Sequence, residues 1–566
     1  MRTLITLLCA LIAAPALAQD DVPFESRFAD LVIYNARIWT GDPAMPEADA
    51  VAVSGDRIVE VFDKPARFQT RVDGATTLIN ARGARVIPGL IDAHVHLAGA
   101  ARDAAALDLR PATSKADLLN RLRRHAQGQP EGAWILGARW TSDSWPDPTP
   151  PTAAEIDAAV GGRPAALERM DGHQLLASTR ALELADIAAD TPDPPGGQIG
   201  RTPEGRLTGA LYEEAMALVE SLVPPLEDDR FRELLTKVAQ HAAESGVTRV
   251  GSIDSLAVIR DHLVPLAERG DLPIRVASTV SESTNDLAEW RDALEWAAAS
   301  PAPAPGLTVV GFKGYVDGTL GSRTAWMHDA FHDNPPSKGP DNAGFPLAMA
   351  EDGRLRQLVE TGAAMGLQPI VHAIGDRANH VALNWFADLP EETRRRVRPA
   401  VEHAQHLAPE DLPRFAELGV IASLQPLHKA DDGRYAESRL GPERLDTSYA
   451  FRDLLDSGAV VAFGSDWPVV SVNPFLGIWA AVAARTTEGR PFVPEQSITV
   501  EEALEAYTTG AATKLFAEDR AGVIRFGMQA DLVMLDRDLL TIPIEEIKGV
   551  KPVVTIVGGD IIYDAR

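Results

Sequence analysis

Residues 86–96 read VIPGLIDAHVH, an apolar run that ends in two histidines separated by one valine. A short apolar run of this kind is typical of a buried parallel strand. Successive side chains of a strand point to opposite faces, so His94 and His96 project to the same side. Two imidazoles on one rigid element can hold a metal ion, although the same pattern also occurs in ordinary strands. The pair predicts a metal site if further ligands converge on it.

The chain downstream of this run alternates apolar strands with helix-like stretches. Such alternation is typical of parallel βα units, and eight strands predict an α/β protein with a (β/α)8 TIM-like barrel. The region 86–514 is far longer than the ~250 residues of a plain barrel. The surplus predicts an insertion at about 97–245 that folds over the barrel mouth. The predicted strands are 86–96, 246–253, 273–280, 308–317, 367–375, 398–405, 419–425 and 459–466.

Both ends of the chain are rich in short strand-like runs separated by Gly, Asp and Pro turns. Neither end is large enough to bury both faces of a sheet alone. We therefore expect residues 19–85 and 515–566 to form one small β-sandwich, with the barrel inserted between them. The predicted strands lie in 31–41, 50–62 and 76–87, and in 521–527, 530–536 and 553–564.

The first residues, MRTLITLLCALIAAPALAQD, have the organisation of a secretory signal peptide. Arg2 supplies the positive region, an apolar run follows, and residues 16–18 form an A-x-A site that predicts cleavage after Ala18. The run is shorter than the roughly 20 residues of a membrane span, the alternative interpretation. The pattern predicts a periplasmic or secreted protein without a membrane anchor after cleavage. Cys9 is the only cysteine, so cysteine ligands and thiol nucleophiles are excluded from the mature chain.

The formal net charge is −27 at pH 7. A surface of this sign repels nucleic acid and anionic lipid. We therefore expect a small-molecule substrate and no nucleic-acid partner. A homodimer is one arrangement that such barrels adopt.

Four further polar residues each lie at the C-terminal end of a predicted strand, where barrels place their active sites. They are Lys313, His372, His403 and Asp466. Each has an ordinary explanation when taken singly: a core histidine, a helix N-cap or a lysine whose amine reaches solvent. Together with His94 and His96 they predict a metal site, and imidazole and carboxylate ligands suit zinc, with iron, manganese or nickel as alternatives.

Several motifs along the chain resemble those of the amidohydrolase superfamily, and within it amidohydrolase family 3, the YtcJ-like branch that includes N-substituted formamide deformylases. The resemblance covers nearly all of the mature chain. Its motifs are ADLVIYNARIWTGD, VIPGLIDAHVHL, RMDGHQLLAS, FKGYVDGTLGSRTA, VHAIGDRA, VEHAQH, SLQPLH, FGSDWPV, NPFLGIWAAVAAR and ADLVMLD.

The resemblance implies a role for each matching residue. His94 and His96 would hold one divalent metal, and His372 and His403 a second. Lys313 would be carboxylated and bridge the two ions, because an ammonium cannot ligate a cation. Asp466 would bind the first ion and shuttle a proton. Family members differ in metal count, so one ion is the alternative to two.

Three residues are candidates for substrate binding. Arg323 ends the glycine-rich loop 318–323 and would bind a carboxylate, or else form a structural ion pair. His173 would donate a hydrogen bond to the substrate or be a buried structural histidine. Trp467 suits an apolar pocket but is equally compatible with core packing.

The two residues that flank His403 are candidates for orienting its ring, since ligating imidazoles usually need such a partner. They are Glu402 and Gln405.

The predicted reaction is hydrolysis of an amide-like C–N bond by metal-activated hydroxide, in an N-substituted formamide, amide, carbamate or cyclic amide. One alternative is hydrolysis of N-acyl amino acids or dipeptides, which a carboxylate-binding Arg323 would favour. The other is a periplasmic binding or regulatory protein that has kept the fold without turnover.

Overall fold

The computed structural model of the chain describes residues 28–64, 67–143, 145–334 and 339–566. The predicted signal peptide and Cys9 lie outside the described residues. Within the described part of the chain, no helix is both long enough and apolar enough to cross a membrane.

Eight parallel strands form the central barrel, and each coincides with one of the eight predicted strands. Every strand pairs with its neighbours in chain order. The (β/α)8 architecture predicted from the alternation is therefore confirmed. The strands are β1 (Leu90–Val95), β2 (Val247–Asp254), β3 (Arg275–Val280), β4 (Leu307–Tyr315), β5 (Gln368–Ala373), β6 (Ala400–His403), β7 (Ile421–Leu424) and β8 (Val461–Phe463).

The barrel closes between β1 and the segment after β8. The backbone N–H of Asp466 donates to the carbonyl of His94 at 2.8 Å, and that of His96 donates to Trp467 at 2.7 Å. Gly464 permits this approach, because a Cβ there would lie 2.6 Å from the backbone nitrogen of His94. Closure therefore brings Asp466 beside the two histidines that end β1.

The pairing of β1 with β2 contains an irregularity that the sequence did not predict. Asp92 pairs with Val250 and Val95 with Ser252, so β1 has one residue more than β2 over this interval. Such a bulge changes which face of the sheet the following side chains occupy. Ile91 and Ala93 pack in the barrel interior, and the bulge allows His94 and His96 to face the mouth.

Helices surround the barrel and follow most of its strands. The barrel helices are Asp228–Glu244, Leu256–Val258, Val264–Glu268, Leu287–Ala299, Ala348–Glu351, Arg354–Ala364, Asp376–Asp388, Glu391–Val397, Leu412–Leu418, Pro426–Asp432, Ala436–Leu440, Phe451–Asp456, Pro474–Ala483, Val500–Glu505 and Ala511–Lys514. The last of these closes the lower end of the barrel, where Ala511, Ala512 and Leu515 pack on Ile370 and Ile421.

Strands from both chain ends build the small β-sandwich. One sheet contains Arg57–Phe62, Ala50–Ser54, Leu31–Tyr34 and Thr77–Asn80, and the other contains Asp560–Asp564, Pro552–Val557, Leu532–Leu535, Arg85–Pro88, Arg37–Trp39 and Glu47–Ala48. Apolar residues of the two sheets share one core. Arg85–Pro88 belongs to the sandwich, so the predicted strand 86–96 is in fact two strands divided at Gly89.

The predicted strand at residues 521–527 is wrong. This segment is a turn-rich connection in which Gly522 and Gly527 have φ values of 93° and 85°. Isolated backbone hydrogen bonds join it to the sandwich, among them Ile524 N–H to the carbonyl of Thr40 at 2.8 Å, and Ile524 packs in the sandwich core.

The insertion forms a six-stranded sheet of its own. Its strands are, in spatial order, Gly197–Arg201, Leu207–Glu213, Gln174–Ala177, Ala165–Arg169, Ile135–Trp140 and Leu107–Asp108, and its helices are Leu97–Asp103, Lys115–Gln127, Ala153–Val160, Thr179–Leu184 and Ala217–Glu220. The connection after strand Ala165–Arg169 lies at the barrel mouth, where Met170, Asp171 and His173 line a small cavity.

Candidate metal centre

The two histidines that end β1 meet the carboxylate of Asp466. His94 Nε2 lies 3.1 Å and His96 Nε2 lies 3.2 Å from the same oxygen, Asp466 Oδ1. The His94 side chain is fully buried, whereas 28% of the His96 side chain is exposed toward the mouth. Two imidazoles and one carboxylate at this spacing form a group that could hold a metal ion.

A second group shares the same carboxylate. His403, His428 and Asp466 offer ligand atoms that all lie within 4.8 Å of one another. His428 follows β7 in the SLQPLH motif and was not predicted as a ligand. His372 lies against His403, with 4.5 Å between the ring centroids. The structure therefore brings together His94, His96, His372, His403 and Asp466, as the predicted ligand set requires.

Hydrogen bonds fix which ring nitrogen His372 and His403 offer. His403 Nδ1 lies 2.8 Å from the amide oxygen of Gln425, and His372 Nε2 lies 3.2 Å from the carbonyl of Gly318. Both partners only accept, so these nitrogens carry the proton and the other ring nitrogen keeps its lone pair. His94 Nδ1 lies 2.9 Å from Glu402 Oε2 on the side of the ring away from Asp466. Ligating histidines commonly have such a partner.

The protonation states also suit a cation. Burial holds the pKa of His372 and of His403 well below the usual value, so both rings are neutral. Burial alone would raise the pKa of Asp466, but the neighbouring His94 and His96 lower it well below its usual range. Neutral imidazoles and an ionised carboxylate are the forms that bind divalent metals.

Lys313 lies on β4 and is almost fully buried. Its ammonium nitrogen lies 4.8 Å from the centroid of the Tyr315 ring. Burial lowers the pKa of Lys313 to about 8, although the charges of Glu402 and Asp466 oppose this shift. A substantial fraction of this amine is therefore neutral near physiological pH.

Two residues at the strand ends have strained backbones. His403 and Asp466 adopt φ values of 75° and 60°. Left-handed conformations at residues other than glycine are uncommon and concentrate at functional sites.

Glu402 supports His94 rather than its sequence neighbour His403. Its carboxylate contacts His94 and the buried ammonium of Lys514, which also donates to the carbonyl of Ala93 at 2.7 Å. Burial alone would raise the pKa of Glu402, but His94 and Lys514 hold it well below its usual range. Gln405 packs toward His428. Neither flanking residue orients the His403 ring, because Gln425 has that position.

The Glu402→Gln variant is expected to bind metal about 10- to 100-fold more weakly, the usual effect of losing such a partner of a ligating histidine. The amide lacks the charge that balances Lys514 and can turn an N–H toward His94. Metal content after timed dialysis against a chelator measures the effect. Glu410→Gln is the control, since Glu410 is exposed. Equal metal retention in both variants would show that Glu402 does not support the site.

A buried aspartate that the sequence reasoning missed organises the loop after β5. Asp317 accepts backbone hydrogen bonds from Ile374, Gly375 and Trp326 at 2.7–3.0 Å. Its Oδ1 lies 3.5 Å from His372 Nε2. Burial raises the pKa of Asp317 to about 7 despite these bonds. Its position in the FKGYVDG motif, at the end of the predicted fourth strand, could have identified Asp317 as a site residue from the sequence.

His173 reaches the site from the insertion. Its ring centroid lies 5.3 Å from that of His372, and its Nδ1 lies 2.6 Å from Glu213. Burial alone would lower the pKa of His173, but the Glu213 carboxylate raises it to about 9. A protonated imidazole therefore faces the metal-ligand group.

The other two substrate candidates, Arg323 and Trp467, do not face the group of ligand residues in the way that His173 does. Arg323 forms a two-pronged ion pair with Asp333 at 2.9 and 3.0 Å, and Arg439 contacts the same carboxylate. Trp467 is buried beside Asp466, and its ring lies 5.9 Å from that of His241.

A small cavity of about 60 Å³ lies above the ligand group. His372, His403, His428 and Asp466 line one side, and Asp171 and His173 of the insertion line the other. Arg323 does not line it. A compact polar group would therefore bind between the strand ends and the insertion.

Comparison with known proteins agrees with this geometry. The model of a family described as the amidohydrolase family matches residues 77–563. This chain belongs to the amidohydrolase family. The match spans the barrel, the insertion and about half of the sandwich, so the resemblance seen in the sequence motifs is confirmed.

Two curated relatives match nearly the whole chain. The protein LONG AFTER FAR-RED 3 of Arabidopsis thaliana is 34% identical over 532 residues, which are 90% of this chain and 87% of the relative. An N-substituted formamide deformylase of Arthrobacter pascens is 28% identical over 559 residues, 95% of this chain and 99% of the relative.

A solved structure of the same fold comes from Pyrococcus horikoshii and is described as an uncharacterized metal-dependent hydrolase. It superposes with a TM-score of 0.72 at 26% identity and covers 91% of this chain and 99% of its own. Family membership, this likeness and the His/Asp groups together identify the chain as a metal-dependent hydrolase.

Proposed function

We propose that this amidohydrolase cleaves the C–N bond of an N-substituted amide or formamide. The observation that carries the proposal is the position of Asp466, whose Oδ1 lies within 3.2 Å of both His94 and His96 beside a small cavity. A compact acyl group fits this cavity. The similarity to a formamide deformylase over nearly the full chain supports the same bond type.

We propose zinc as the bound metal, because imidazole and carboxylate ligands suit it best. Two ions are favoured over one, since His372 and His403, with ring centroids 4.5 Å apart, adjoin the group of His94, His96 and Asp466. When bound, a divalent ion activates water near neutral pH and polarises a carbonyl. The ligands proposed for the first ion are His94, His96 and Asp466, and those for the second are His372 and His403.

Asp466 is the proposed proton carrier. Its carboxylate is ionised, so Oδ2 can accept a proton from the attacking water and deliver it to the leaving nitrogen. His428 Nε2 lies 3.9 Å from this oxygen and limits where the carboxylate can turn.

His173 is the proposed donor to the substrate carbonyl. Its Nδ1–H is held by Glu213, so Nε2–H is the donor left for the cavity. A fixed cationic donor stabilises the negative charge that develops on the carbonyl oxygen during attack. The insertion thereby completes a site that the barrel strands begin.

We also propose that Lys313 is carboxylated, in which form it would help the histidines and Asp466 to hold the metal. Its neutral amine can attack the carbon of carbon dioxide, forming an N–C bond and releasing one proton from the nitrogen. The product is an anionic carbamate with two oxygen atoms available as ligands. Burial of the amine favours this reaction, because it raises the neutral fraction.

The carboxylate-binding alternative is less favoured by the contacts of Arg323. The guanidinium that would bind the carboxylate of an N-acyl amino acid is already held by Asp333. The complete ligand set also disfavours a catalytically silent binding protein.

A substrate panel tests the proposal. Purified protein is assayed for amine release from N-substituted formamides, acetamides, carbamates, cyclic amides and N-acyl amino acids. We expect turnover of a neutral N-substituted amide, its loss after treatment with dipicolinate, and its recovery on adding zinc. Absence of turnover across the panel, or turnover that persists in metal-free protein, contradicts the proposal.

A further inference from the structure

A second and much larger cleft adjoins the small cavity at the metal-ligand group. It has a volume of about 810 Å³, against about 60 Å³ for the cavity. Four residues line both spaces, namely Met170, Asp431, Val469 and Val470. A molecule held at the ligand group can therefore extend past these residues into the cleft.

The cleft lies where the insertion faces the barrel. Ala106 and Met170 line it from the insertion, and Val238, Pro468 and Leu476 line it from the barrel side. Clefts between domains are common binding places for small molecules.

Apolar side chains dominate the lining of the cleft. Two tryptophans, Trp467 and Trp479, lie in its wall together with Leu427 and Leu476. A dry cavity of about 150 Å³ is already large enough for benzene. The cleft therefore has room for more than one aromatic ring.

Each charged side chain that lines the cleft has a partner of opposite charge within the protein, so a ligand carboxylate would have to compete with that partner. Asp103 pairs with Arg139, Asp108 with Arg110 and Asp431 with Arg434, at 2.6–2.9 Å. Lys237 pairs with Glu233 at 2.5 Å and Lys548 with Glu545 at 3.0 Å. His241 lies 3.8 Å from Glu244.

The small cavity is equally unsuited to an anionic substituent. Its buried guanidinium, Arg169, is held by both Asp143 and Asp171. Asp431, which lines both spaces, and Asp432 add further carboxylates. These carboxylates would repel a carboxylate on the nitrogen substituent, and the two cations of the cavity, Arg169 and His173, are already paired.

We infer that the substrate has two parts: a compact acyl group that binds in the small cavity, and an uncharged, bulky apolar or aromatic substituent on nitrogen that binds in the cleft. The inference rests on the proposed function and adds the chemistry of the nitrogen substituent. It disfavours amino acids as that substituent, because the cations that line the cleft are already paired with carboxylates of the protein.

Three formamides test the inference on the wild-type protein: N-methylformamide, N-(2-phenylethyl)formamide and N-formylphenylalanine. The last two differ only by a carboxylate. We expect kcat/KM for N-(2-phenylethyl)formamide to exceed each of the others by at least about tenfold, as burial of an apolar group and exclusion of a charge both require. If another acyl group is preferred in the panel, the same three amines carry that group.

A variant that fills the cleft provides a second test of the inference. Ala104 is exposed and lines the cleft, whereas Ala105 is exposed and does not. We expect Ala104→Trp to raise KM for the phenylethyl substrate about tenfold and to leave KM for the methyl substrate unchanged. Ala105→Trp, the matched control, should change neither.

The outcomes separate the inference from the proposed function. If neither small nor bulky amides are hydrolysed, the proposed function fails. If the methyl substrate or N-formylphenylalanine is hydrolysed as well as the phenylethyl substrate, hydrolysis stands and the inference is overturned. The inference is also overturned if Ala104→Trp affects the methyl and phenylethyl substrates equally.

Discussion

Replacing Asp466 with asparagine is expected to lower kcat by about 10³-fold or more. The substitution removes the negative charge of the carboxylate that both ligand groups share, and with it the base that would accept the proton of water. General acid–base catalysis alone is typically worth 10²- to 10⁴-fold. Asparagine has nearly the same volume, so the barrel should fold normally. The measurement is kcat on the best amide of the panel, with circular dichroism as the check on folding.

A matched aspartate controls this result. Asp456 is exposed and pairs only with Arg452 on its own helix, so Asp456→Asn should retain full activity. Undiminished hydrolysis by the Asp466→Asn protein would remove Asp466 from the mechanism.

The second large effect is expected at Lys313. Lys313→Met removes the amine and leaves a side chain of similar volume, so a carbamate cannot form. We expect a loss of about 10³-fold in kcat, with partial recovery when formate or acetate supplies carboxylate oxygens to the vacated space. Lys313→Arg should be as inactive as Lys313→Met, because a guanidinium does not form a carbamate.

Isotope labelling distinguishes a carbamate from a merely structural lysine. Wild-type protein reconstituted with zinc in ¹³C-bicarbonate should show a carbamate carbon signal by NMR, and the Lys313→Met protein should not. Lys551→Met is the control, because Lys551 is exposed and lies in the sandwich. Full activity of Lys313→Met, or reconstitution that is independent of carbon dioxide, would contradict a role for carboxylated Lys313 in holding the metal.

The barrel and the clustering of the proposed ligand residues could be predicted from the sequence, because both depend on local signals. Each strand is a short apolar run, and Lys313, His372, His403 and Asp466 lie at or near the ends of such runs. Parallel strands in a barrel place their C-terminal ends at one rim, so order along the chain is enough to bring these residues together.

The residues that contact the proposed ligands, and the partner of His173, could not be predicted in the same way. Glu402 precedes His403, and neighbouring residues of a strand point to opposite faces. Glu402 therefore contacts His94 from β1 and Lys514 from the closing helix, which are far away in the sequence. The contact of His173 with Glu213 likewise depends on antiparallel pairing between strands Gln174–Ala177 and Leu207–Glu213. Spacing along the chain does not reveal such pairings.

The orientation of the first two ligands also has a structural cause that the HxH pattern does not contain. The period of two correctly predicts that His94 and His96 share a face. Which face they share is set by the bulge between Asp92 and Val95, a property of pairing with β2. The partner of Arg323 could not be predicted either, because Asp333 belongs to a loop with no recognisable motif.

The metal dependence is tested by measuring metal content and activity together while metal-depleted protein is titrated with zinc. We expect activity to rise with zinc and to saturate at one or two ions per chain, and we expect the double variant His94→Asn, His96→Asn to bind fewer ions and to stay inactive. Full activity in protein that contains no stoichiometric metal would contradict a metal-dependent mechanism.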